Sequence, residues 1–218
     1  MKKISAVIIT YNEEKNIAKC LEALQNVVEE IVVIDSFSTD KTPAICKAYG
    51  VNFIQRAFTD YADQKNFGNA QAAHPYILSI DADEVLSESL QKSVVQWKQK
   101  GKNEVLELDR ITSFCGKWIK YSGWYPDRKY MLFDKTKARW AGEKVHEYLL
   151  IDNHARKGSL KGKLLHYSFH SIEQHMATVN RFSTLKAEIK HEKGMRASWF
   201  KILFAPVVKF LKIYVLKF

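Results

Sequence analysis

The sequence predicts an α/β fold in which a mostly parallel central sheet is flanked by helices. Short apolar runs alternate with segments of helical periodicity over the first 100 residues, and the connections between them are short. Uninterrupted apolar runs indicate strands that are covered on both faces, as in a parallel sheet. Ligands of such sheets bind beyond the carboxyl ends of the strands, so polar residues at those ends are candidates for a functional site.

The first 100 residues are predicted to contain four strands and four helices. The predicted strands are 4–9, 31–34, 51–54 and 76–80. The first helix would follow Asn12 as its cap and carry Ile17, Leu21 and Leu24 on one face. The second would begin at Thr42-Pro43 and end at Gly50. The third would span 61–73, and the fourth would carry Leu90, Val94 and Trp97 and end at Gly101.

The remaining chain is predicted to add strands and then helices. Residues 104–108 favour a strand that 111–114 continue or pair with, and 128–133, 144–150 and 160–165 are also typical of strands. Residues 171–193 have helical periodicity, and 198–218 form an apolar tail interrupted by lysines. We therefore expect a domain over 1–170, with halves 1–100 and 101–170, and a helical region over 171–218.

Composition limits the class of protein and indicates anionic partners. The chain has 218 residues and a formal net charge of +10, but residues 1–90 carry a net −5 and residues 91–218 a net +15. Anionic lipid and nucleic acid are both compatible with the basic half. The three cysteines, Cys20, Cys46 and Cys115, form no CxxC pair, which favours a reducing compartment. The apolar run near Met1 is too short for a signal peptide and is interpreted as a strand.

A pair of carboxylates follows the fourth strand in the segment YILSIDADE. Because strand residues alternate between faces, Asp81 and Asp83 would point the same way beyond the strand. Mg²⁺ or Mn²⁺ would relieve their repulsion, since these cations prefer oxygen ligands and keep open positions for phosphates. The alternative is a solvated acidic turn that starts the next helix.

Two other strands also end in polar residues, namely Thr10-Tyr11-Asn12-Glu13 and Asp35-Ser36. Neither GxGxxG nor GxxxxGK[ST] occurs, which disfavours a Rossmann dinucleotide site and a P-loop. Together, strand-TYNEE, strand-Asp-Ser with Thr39-Asp40-Lys41-Thr42, and strand-DADE resemble family 2 glycosyltransferases with the GT-A fold. The resemblance covers about the first 90 residues. The stretch GWYPDRKYMLFDKTKARWAGEKVHE is similar to the subgroup of bacterial lipopolysaccharide-core β-glucosyltransferases.

The resemblance implies roles for these residues. The donor would be a sugar nucleotide, such as a UDP-sugar, bound by residues 1–100, while 101–170 would build the acceptor side. Asp83 would hold the metal that bridges the diphosphate, and Lys65 would neutralise diphosphate charge. Residues implied to line the nucleotide-sugar site are Thr10, Tyr11, Asn12, Glu13, Asp35, Asp81 and Ala82. The alternatives are helix or loop capping by Asn12 and Asp35 and a solvated helix face for Lys65.

An inverting transfer also needs a base that removes the proton of the acceptor hydroxyl. The resemblance points to a downstream acidic residue, Glu147 first and Glu143 second, with His146 orienting the diphosphate or the base. The flat rings of Trp124 and Tyr125 suit a sugar acceptor, although core packing is the alternative.

His166 follows the strand-like run 160–165 and could return to the metal beside Asp83. The spacing of His166, His170 and His175 does not match a zinc motif such as HExxH, so a zinc hydrolase is disfavoured.

The tail 198–218 is predicted to lie in the plane of a membrane surface. On a helical projection Lys201, Lys209 and Lys212 fall within about 80° of one another, with Lys217 beyond them. Aromatic residues, among them Trp199 and Phe210, occupy the remaining sector, and Pro206 is expected to kink the helix. The alternative is a packing or dimerising helix.

The favoured hypothesis is a metal-dependent hexosyltransferase on the cytoplasmic face of a membrane. It would move glucose from UDP-glucose to a glycan or lipid-linked saccharide, without a nucleic-acid partner. The alternatives are a nucleotidyltransferase and a non-enzymatic protein that binds lipid or nucleic acid through its basic half.

Overall fold

The structure is a computed structural model in which residues 1–142 and 147–215 are described. The strands in this part of the chain are β1 (Ile4–Thr10), β2 (Glu30–Asp35), β3 (Asn52–Gln55), β4 (Tyr76–Asp81), β5 (Glu84–Leu86), β6 (Val105–Phe114), β7 (Lys117–Trp118), β8 (Asp127–Asp134), β9 (Ala138–Ala141), β10 (Tyr148–Ile151) and β11 (Lys157–Phe169). The helices are α1 (Ile17–Leu24), α2 (Thr42–Ala48), α3 (Tyr61–Gln71), α4 (Glu88–Lys100), α5 (Ile172–Glu192) and α6 (Trp199–Tyr214).

The central sheet has the strand order β3-β2-β1-β4-β8-β6-β11-β5, which confirms the predicted mostly parallel α/β fold. β1 pairs in parallel with β2 and with β4, and β2 pairs in parallel with β3. β8 joins β4 in antiparallel orientation, with Leu78 opposite Leu132. The carboxyl ends of β1, β2 and β4 therefore meet at one edge of the sheet, as the sequence predicts.

Helices cover both faces of the parallel strands. Alternate residues of β1 enter different cores: Ile4 and Ile8 pack with α1 and α4, whereas Val7 packs in the cluster that includes Ala62 of α3. Gly68 lets α3 approach the sheet, because a Cβ there would lie only 2.5 Å from Val7 Cγ1. This close approach fixes the helix that carries Lys65.

Several predicted elements differ from the structure. Residues 104–108 and 111–114 belong to one strand, β6, while β5, β7 and β9 were not predicted. These three strands have two to four residues, too few for a clear periodic pattern. Of the predicted strand 144–150, the structure describes β10, and residues 143–146 lie outside the described part of the chain.

The predicted helix starts need correction. α1 begins at Ile17 after Asn16, so Asn12 does not cap it. Asn12 instead adopts a positive φ of 55° and bonds to another loop. α2 is preceded by Lys41, which makes Thr42 its first residue, and the Thr42 hydroxyl accepts a hydrogen bond from the Glu13 amide. The side chains of Asn12 and Thr42 therefore accept hydrogen bonds from backbone amides distant in sequence, and neither caps a helix.

The chain divides into two compact units, residues 1–110 with 128–167, and residues 111–127 with 168–218. The second unit contains α5 and α6, which confirm that 171–193 and 198–215 are helical, and α6 continues through Pro206. Among the described residues, none of the helices combines the length and apolar character needed to cross a membrane. Both functional cavities described below belong to the first unit.

Candidate active site

The loops after β1 and β2 are tied together by side-chain hydrogen bonds. The Asn12 amide donates to Ser38 Oγ at 2.8 Å, and Asn12 Oδ1 accepts from the Thr39 amide at 2.8 Å. The Glu14 amide donates to Asp40 at 3.0 Å. Asn12, predicted to line the nucleotide pocket, therefore holds one loop against the other.

Asp35 is buried at the end of β2 and has a positioning role in this structure. Its Oδ2 accepts from the Ser38 amide at 2.9 Å and from Gln55 Nε2 at 3.1 Å, and Oδ1 accepts from Ser38 Oγ. These protein donors let the Asp35 carboxylate organise the loop 36–40, and its implied place in the nucleotide-sugar site stays a prediction.

A first cavity of about 240 Å³, the strand-end cavity, opens where β1 and β4 end. Its lining residues are Ile9, Thr10, Tyr11, Glu13, Ser36, Phe58, Tyr61, Asp81, Ala82 and Asp83. Six of them, all except Ile9, Ser36, Phe58 and Tyr61, were predicted from the sequence. The exposed rings of Tyr11 and Phe58 give this cavity flat apolar surfaces beside carboxylates, which suits a base and its ribose.

Phe58 and Tyr61 were missed in the sequence analysis. They form an edge-to-face pair with centroids 5.0 Å apart. Phe58 stands in the loop between β3 and α3, and Tyr61 is the first residue of α3; two aromatic residues three positions apart were the available signal.

Glu13 is a carboxyl group with a strongly altered pKa. Burial raises its pKa to about 7, with a further contribution from the negative charge of Asp83, while a hydrogen bond from Asn16 at 2.8 Å opposes the change. Near neutral pH this side chain can therefore either donate or accept a hydrogen bond at the wall of the strand-end cavity.

A second cavity of about 330 Å³, the Lys65 cavity, adjoins the first through Asp81, which lines both. Its lining residues are Lys65, Asp81, Arg110, Arg128, Lys129, Tyr130, Met131, Trp140, Glu147, Tyr148 and Leu149. This shared carboxylate connects the predicted nucleotide-binding residues with the predicted base.

Lys65 is buried and bridges two carboxylates. Its Nζ lies 3.3 Å from Asp81 Oδ1, 3.4 Å from Glu147 Oε1 and 4.6 Å from the centroid of the Trp140 ring. Burial alone would lower the pKa of Lys65, but Asp81 and Glu147 outweigh it and the pKa is raised. The alternative of a solvated helix face is therefore wrong for Lys65, which is a buried cation that orders the site.

Asp81 is one of the two carboxylates that pair with Lys65. Burial would raise its pKa, but the charges of Lys65 and His166 reverse the effect and hold the pKa of Asp81 below its ordinary value. The carboxylate therefore stays ionised, as a group that accepts hydrogen bonds from a ligand must.

Glu147 reaches this site because α3 holds the small sheet of β9 and β10. Asn66 Nδ2 donates to the Trp140 carbonyl at 2.8 Å, and the Trp140 amide donates to Asn66 Oδ1 at 3.0 Å. Trp140 pairs with Leu149 of β10, which follows Glu147 by two residues. Glu143 and His146, also predicted as functional, lie outside the described residues.

Glu84 was not predicted as a site residue, although it stands in the DADE segment. It is fully buried; Oε2 accepts from the Asp81 amide at 2.9 Å and Oε1 from Arg110 Nη1 at 3.1 Å. Burial raises its pKa to about 7. Glu84 fixes the backbone of Asp81, a function that only long-range pairing of β5 with β11 makes possible.

Asp83 and His166 are brought together as the sequence predicts. His166 Nε2 lies 3.2 Å from Asp83 Oδ2, and the Tyr167 amide donates to the Asp83 carbonyl at 2.8 Å. His166 lies within β11 opposite Glu84, so its predicted place at a strand end is corrected. Burial would lower the pKa of His166, but the bond and charge of Asp83 raise it.

These two side chains fit a divalent cation that completes its shell elsewhere. Groups of three or more potential ligands are absent from the described part of the chain. Mg²⁺ bound by transferases commonly takes one or two protein ligands and fills its other positions with water and substrate phosphates. Asp83 supplies an oxygen donor at the wall of the strand-end cavity, and His166, 3.2 Å from it, supplies a nitrogen donor.

Trp124 and Tyr125 belong to the second unit. The Trp124 ring packs in an aromatic cluster with Phe114, Phe169 and His175, with centroids 6.3, 6.3 and 6.4 Å away. Trp124 therefore has the packing role that the sequence left open as its alternative, while acceptor binding by either residue stays a prediction.

Comparison with known proteins connects this geometry to a family. The family model "Glycosyl transferase family 2" matches residues 5–183. The lipopolysaccharide core biosynthesis glycosyltransferase LpsC of Rhizobium meliloti is 31% identical over 219 residues, covering 97% of this chain and 80% of LpsC. An uncharacterized glycosyltransferase of Rickettsia typhi is 31% identical over 232 residues, covering 100% of this chain and 78% of the relative.

The crystal structure of S. aureus TarS 1-349 in complex with UDP-GlcNAc is 24% identical, with a TM-score of 0.44 over 51% of this chain and 35% of that one. The resemblance found in the TYNEE, Asp-Ser and DADE segments is confirmed by the family match, which spans both functional cavities and extends beyond the first 90 residues. The chain belongs to glycosyl transferase family 2.

Proposed function

We propose that this glycosyltransferase transfers a hexose, glucose, from a UDP-sugar to a sugar hydroxyl of a membrane-associated glycan such as lipopolysaccharide core, with inversion. The observation that carries the proposal is that Asp81 lines two adjoining cavities, one suited to a nucleoside and the other containing Glu147. The similarity to LpsC, a lipopolysaccharide core biosynthesis glycosyltransferase, supports the choice of acceptor.

The strand-end cavity is the proposed site of the nucleoside. The rings of Tyr11 and Phe58 offer surfaces for the base, and Thr10, Glu13 and Asp81 offer polar groups to the ribose. Ala82 also lines this cavity. Asp35 and Asn12 act on the donor indirectly, by holding the loops that form this wall.

A divalent cation, Mg²⁺ or Mn²⁺, is proposed to be held by Asp83 and His166 beside Asp81. When bound, it would stabilise the negative charge of the departing diphosphate. The contribution of this chain is to hold Asp83, immediately before β5, beside His166 of β11 and to keep Asp81 ionised through Lys65.

Glu147 is the proposed base, with Glu143 as the second candidate and His146 as a possible orienting group. Glu147 faces the Lys65 cavity, where an acceptor hydroxyl would have to approach the donor sugar. Its hydrogen-bonding partner Lys65 is charged and fixes the carboxylate, so that the second oxygen is available to take the hydroxyl proton. Trp124 and Tyr125 are retained as proposed acceptor contacts.

The helix α6 is proposed to hold the enzyme at the cytoplasmic face of an anionic membrane. Its apolar side chains are exposed, with Trp199 at 84% and Phe200 at 76%. On a helical projection Phe204 borders the sector of Lys201, Lys209 and Lys212, and the residues opposite that sector are Trp199, Phe200, Leu203, Val207, Phe210, Leu211 and Tyr214. This separation of basic and aromatic faces is typical of helices that lie in a membrane interface.

Release of UDP from a panel of UDP-sugars tests the proposal. The protein is incubated with each sugar nucleotide, Mg²⁺ or Mn²⁺, and truncated core oligosaccharides, and the anomeric configuration of the product is determined by NMR. We expect transfer from UDP-glucose to give a β-glucoside. Absence of nucleotide binding across the panel would exclude the proposal, and release of pyrophosphate from a nucleoside triphosphate would indicate a nucleotidyltransferase.

A further inference from the structure

The Lys65 cavity has more basic side chains than the proposed reaction uses. Lys65 is engaged by Asp81 and Glu147, but Arg110, Arg128 and Lys129 also line the cavity. They stand on β6 and β8, which are neighbours in the sheet. None of these three side chains lines the strand-end cavity.

Arg128 is well suited to bind a ligand. Its guanidinium lies 3.8 Å from Glu107 Oε2, and its side chain is 63% exposed. An ion pair this long and this exposed contributes only about 0–1 kcal/mol, so an incoming anion can recruit the guanidinium at little cost. Lys129 is exposed beside it.

Arg110, Arg128 and Lys129 form what we call the basic wall of the Lys65 cavity. Within it, Arg110 has a different function. It pairs with the buried Glu84, which in turn holds the Asp81 amide. Arg110 therefore connects the basic wall mechanically to the carboxylate that both cavities share. A ligand anion drawn to Arg110 and Arg128 would lie in the same cavity as Glu147.

The position of these groups favours the acceptor over the donor as their ligand. The diphosphate is proposed to lie at Asp83 and His166, which do not line the Lys65 cavity. Glu147 must reach the acceptor hydroxyl, and it shares its cavity with Arg128 and Lys129. An anionic group on the acceptor molecule would therefore meet these cations while the hydroxyl meets Glu147.

We infer that the acceptor is an anionic saccharide, whose phosphate or carboxylate group is bound by Arg128 and Lys129 with Arg110. A guanidinium suits both groups because its planar donors pair with two oxygens at once. This inference rests on the proposed function, since it assigns the Lys65 cavity to the acceptor.

The test measures binding of soluble probes to the full chain in the presence of saturating UDP and Mg²⁺. The probes are glucose 6-phosphate, glucuronate and glucose, followed by protein NMR titration. We expect the better of the two anionic probes to bind about tenfold or more tightly than glucose, as a charge-assisted hydrogen bond predicts. The order of glucose 6-phosphate and glucuronate shows whether phosphate or carboxylate is preferred.

Substitutions connect the effect to the basic wall. Arg128→Gln and the double substitution with Lys129→Gln should each remove most of the preference for the anionic probe. Lys92→Gln removes one exposed charge on α4, away from the residues that line either cavity, and should leave the preference unchanged. Arg110 is left intact, because its loss would leave the buried Glu84 without its cation.

Three results would overturn the inference. Equal binding of glucose and of both anionic probes would show that the wall does not select anions. Glucose 6-phosphate binding that is present without UDP and lost at saturating UDP would assign the basic groups to the donor. An equal loss in Lys92→Gln would indicate general surface charge. UDP affinity and UDP release from UDP-glucose, measured on the same proteins, test the proposed function separately.

Discussion

Lys65 Nζ lies 3.3 Å from Asp81 Oδ1, and this ion pair stands at the boundary between the two cavities of the site. Asp81 ends β4, and Lys65 lies on α3, the helix that precedes this strand. The ion pair therefore joins α3 to the carboxyl end of β4. The same ammonium group contacts Glu147, which is 82 residues further along the chain. One buried cation thereby sets the relative position of a proposed donor-binding group and the proposed base.

Replacing Lys65 by methionine should lower activity more than stability. Asp81 and Glu147 would lose their common partner, and we expect turnover to fall at least about tenfold while the free energy of unfolding falls by about 1–3 kcal/mol. Steady-state kinetics and urea unfolding measure the two effects. Lys92→Met, on the exposed face of α4, is the matched control, and unchanged turnover in Lys65→Met would contradict the role given to this ion pair.

Replacing Asp83 by asparagine should remove the effect of metal on nucleotide binding. The substitution keeps the shape of the side chain but removes the anionic donor beside His166. Calorimetric titration of UDP with and without Mn²⁺ should show a large difference in affinity for the natural protein and little for the variant. Equal metal dependence in both proteins would exclude Asp83 as a ligand, while a native circular dichroism spectrum controls for folding.

Glu147→Gln should reduce kcat and leave UDP-sugar affinity nearly unchanged, because a base acts in the transition state and not in donor binding. The glutamine can still accept a hydrogen bond from Lys65, which preserves the local packing. Single-turnover kinetics at saturating donor separate the two quantities. If the variant turns over at the normal rate, Glu143→Gln becomes the next substitution to measure.

The pair of Glu29 and Lys98 should make stability depend on pH in the acid range. Lys98 Nζ donates to Glu29 Oε1 at 2.6 Å and to the Val27 carbonyl at 2.7 Å. Burial opposes the charged form of Glu29, but the bonds from Lys98 and the Ile4 amide lower its pKa below the ordinary value of 4.5. The stabilisation is therefore complete above pH 4.5 and is lost as the pH falls through the lower folded-state pKa.

Glu29→Gln tests this dependence. At pH 7 the variant should lose about 1–3 kcal/mol of unfolding free energy, since it leaves the buried ammonium of Lys98 without an anion. The difference from the natural protein should shrink as the pH is lowered below 4.5. Glu188→Gln, on the exposed surface of α5, provides the control in urea unfolding at several pH values, and a difference independent of pH would contradict the assignment.

Removing residues 198–218 should release the protein from anionic vesicles. Co-sedimentation with vesicles measures the binding. Replacing Lys201, Lys209 and Lys212 together by glutamine should weaken it by about 1 kcal/mol for each lysine. High salt should weaken it only in part, because the aromatic face is not screened. Equal sedimentation of the full-length and truncated proteins would show that α6 packs against protein, and a dimer that disappears on truncation would identify a second copy as its partner.

The sequence by itself determined the parallel half of the fold and the polar ends of its strands. Buried strands such as β1 and β4 are apolar at most positions, and apolar residues recur every three to four positions along helices such as α1. The local pattern of residues was therefore sufficient to predict these elements. Thr10 and Asp81 end those two strands, and Glu13 and Asp83 follow within three residues. Parallel strands place their carboxyl ends at one edge, and the strand-end cavity is the result.

Only the tertiary structure decided the roles that depend on distant partners. Asp35 is turned inward by Ser38 and Gln55, although the sequence placed it in the nucleotide-sugar site, and Glu84, to which no role was assigned from the sequence, is buried against Arg110. The cavity that joins Lys65 to Glu147 exists because α3 holds β9 through Asn66. Such contacts are made between residues far apart in the chain, and their free energy depends on burial and geometry that no local pattern of residues encodes.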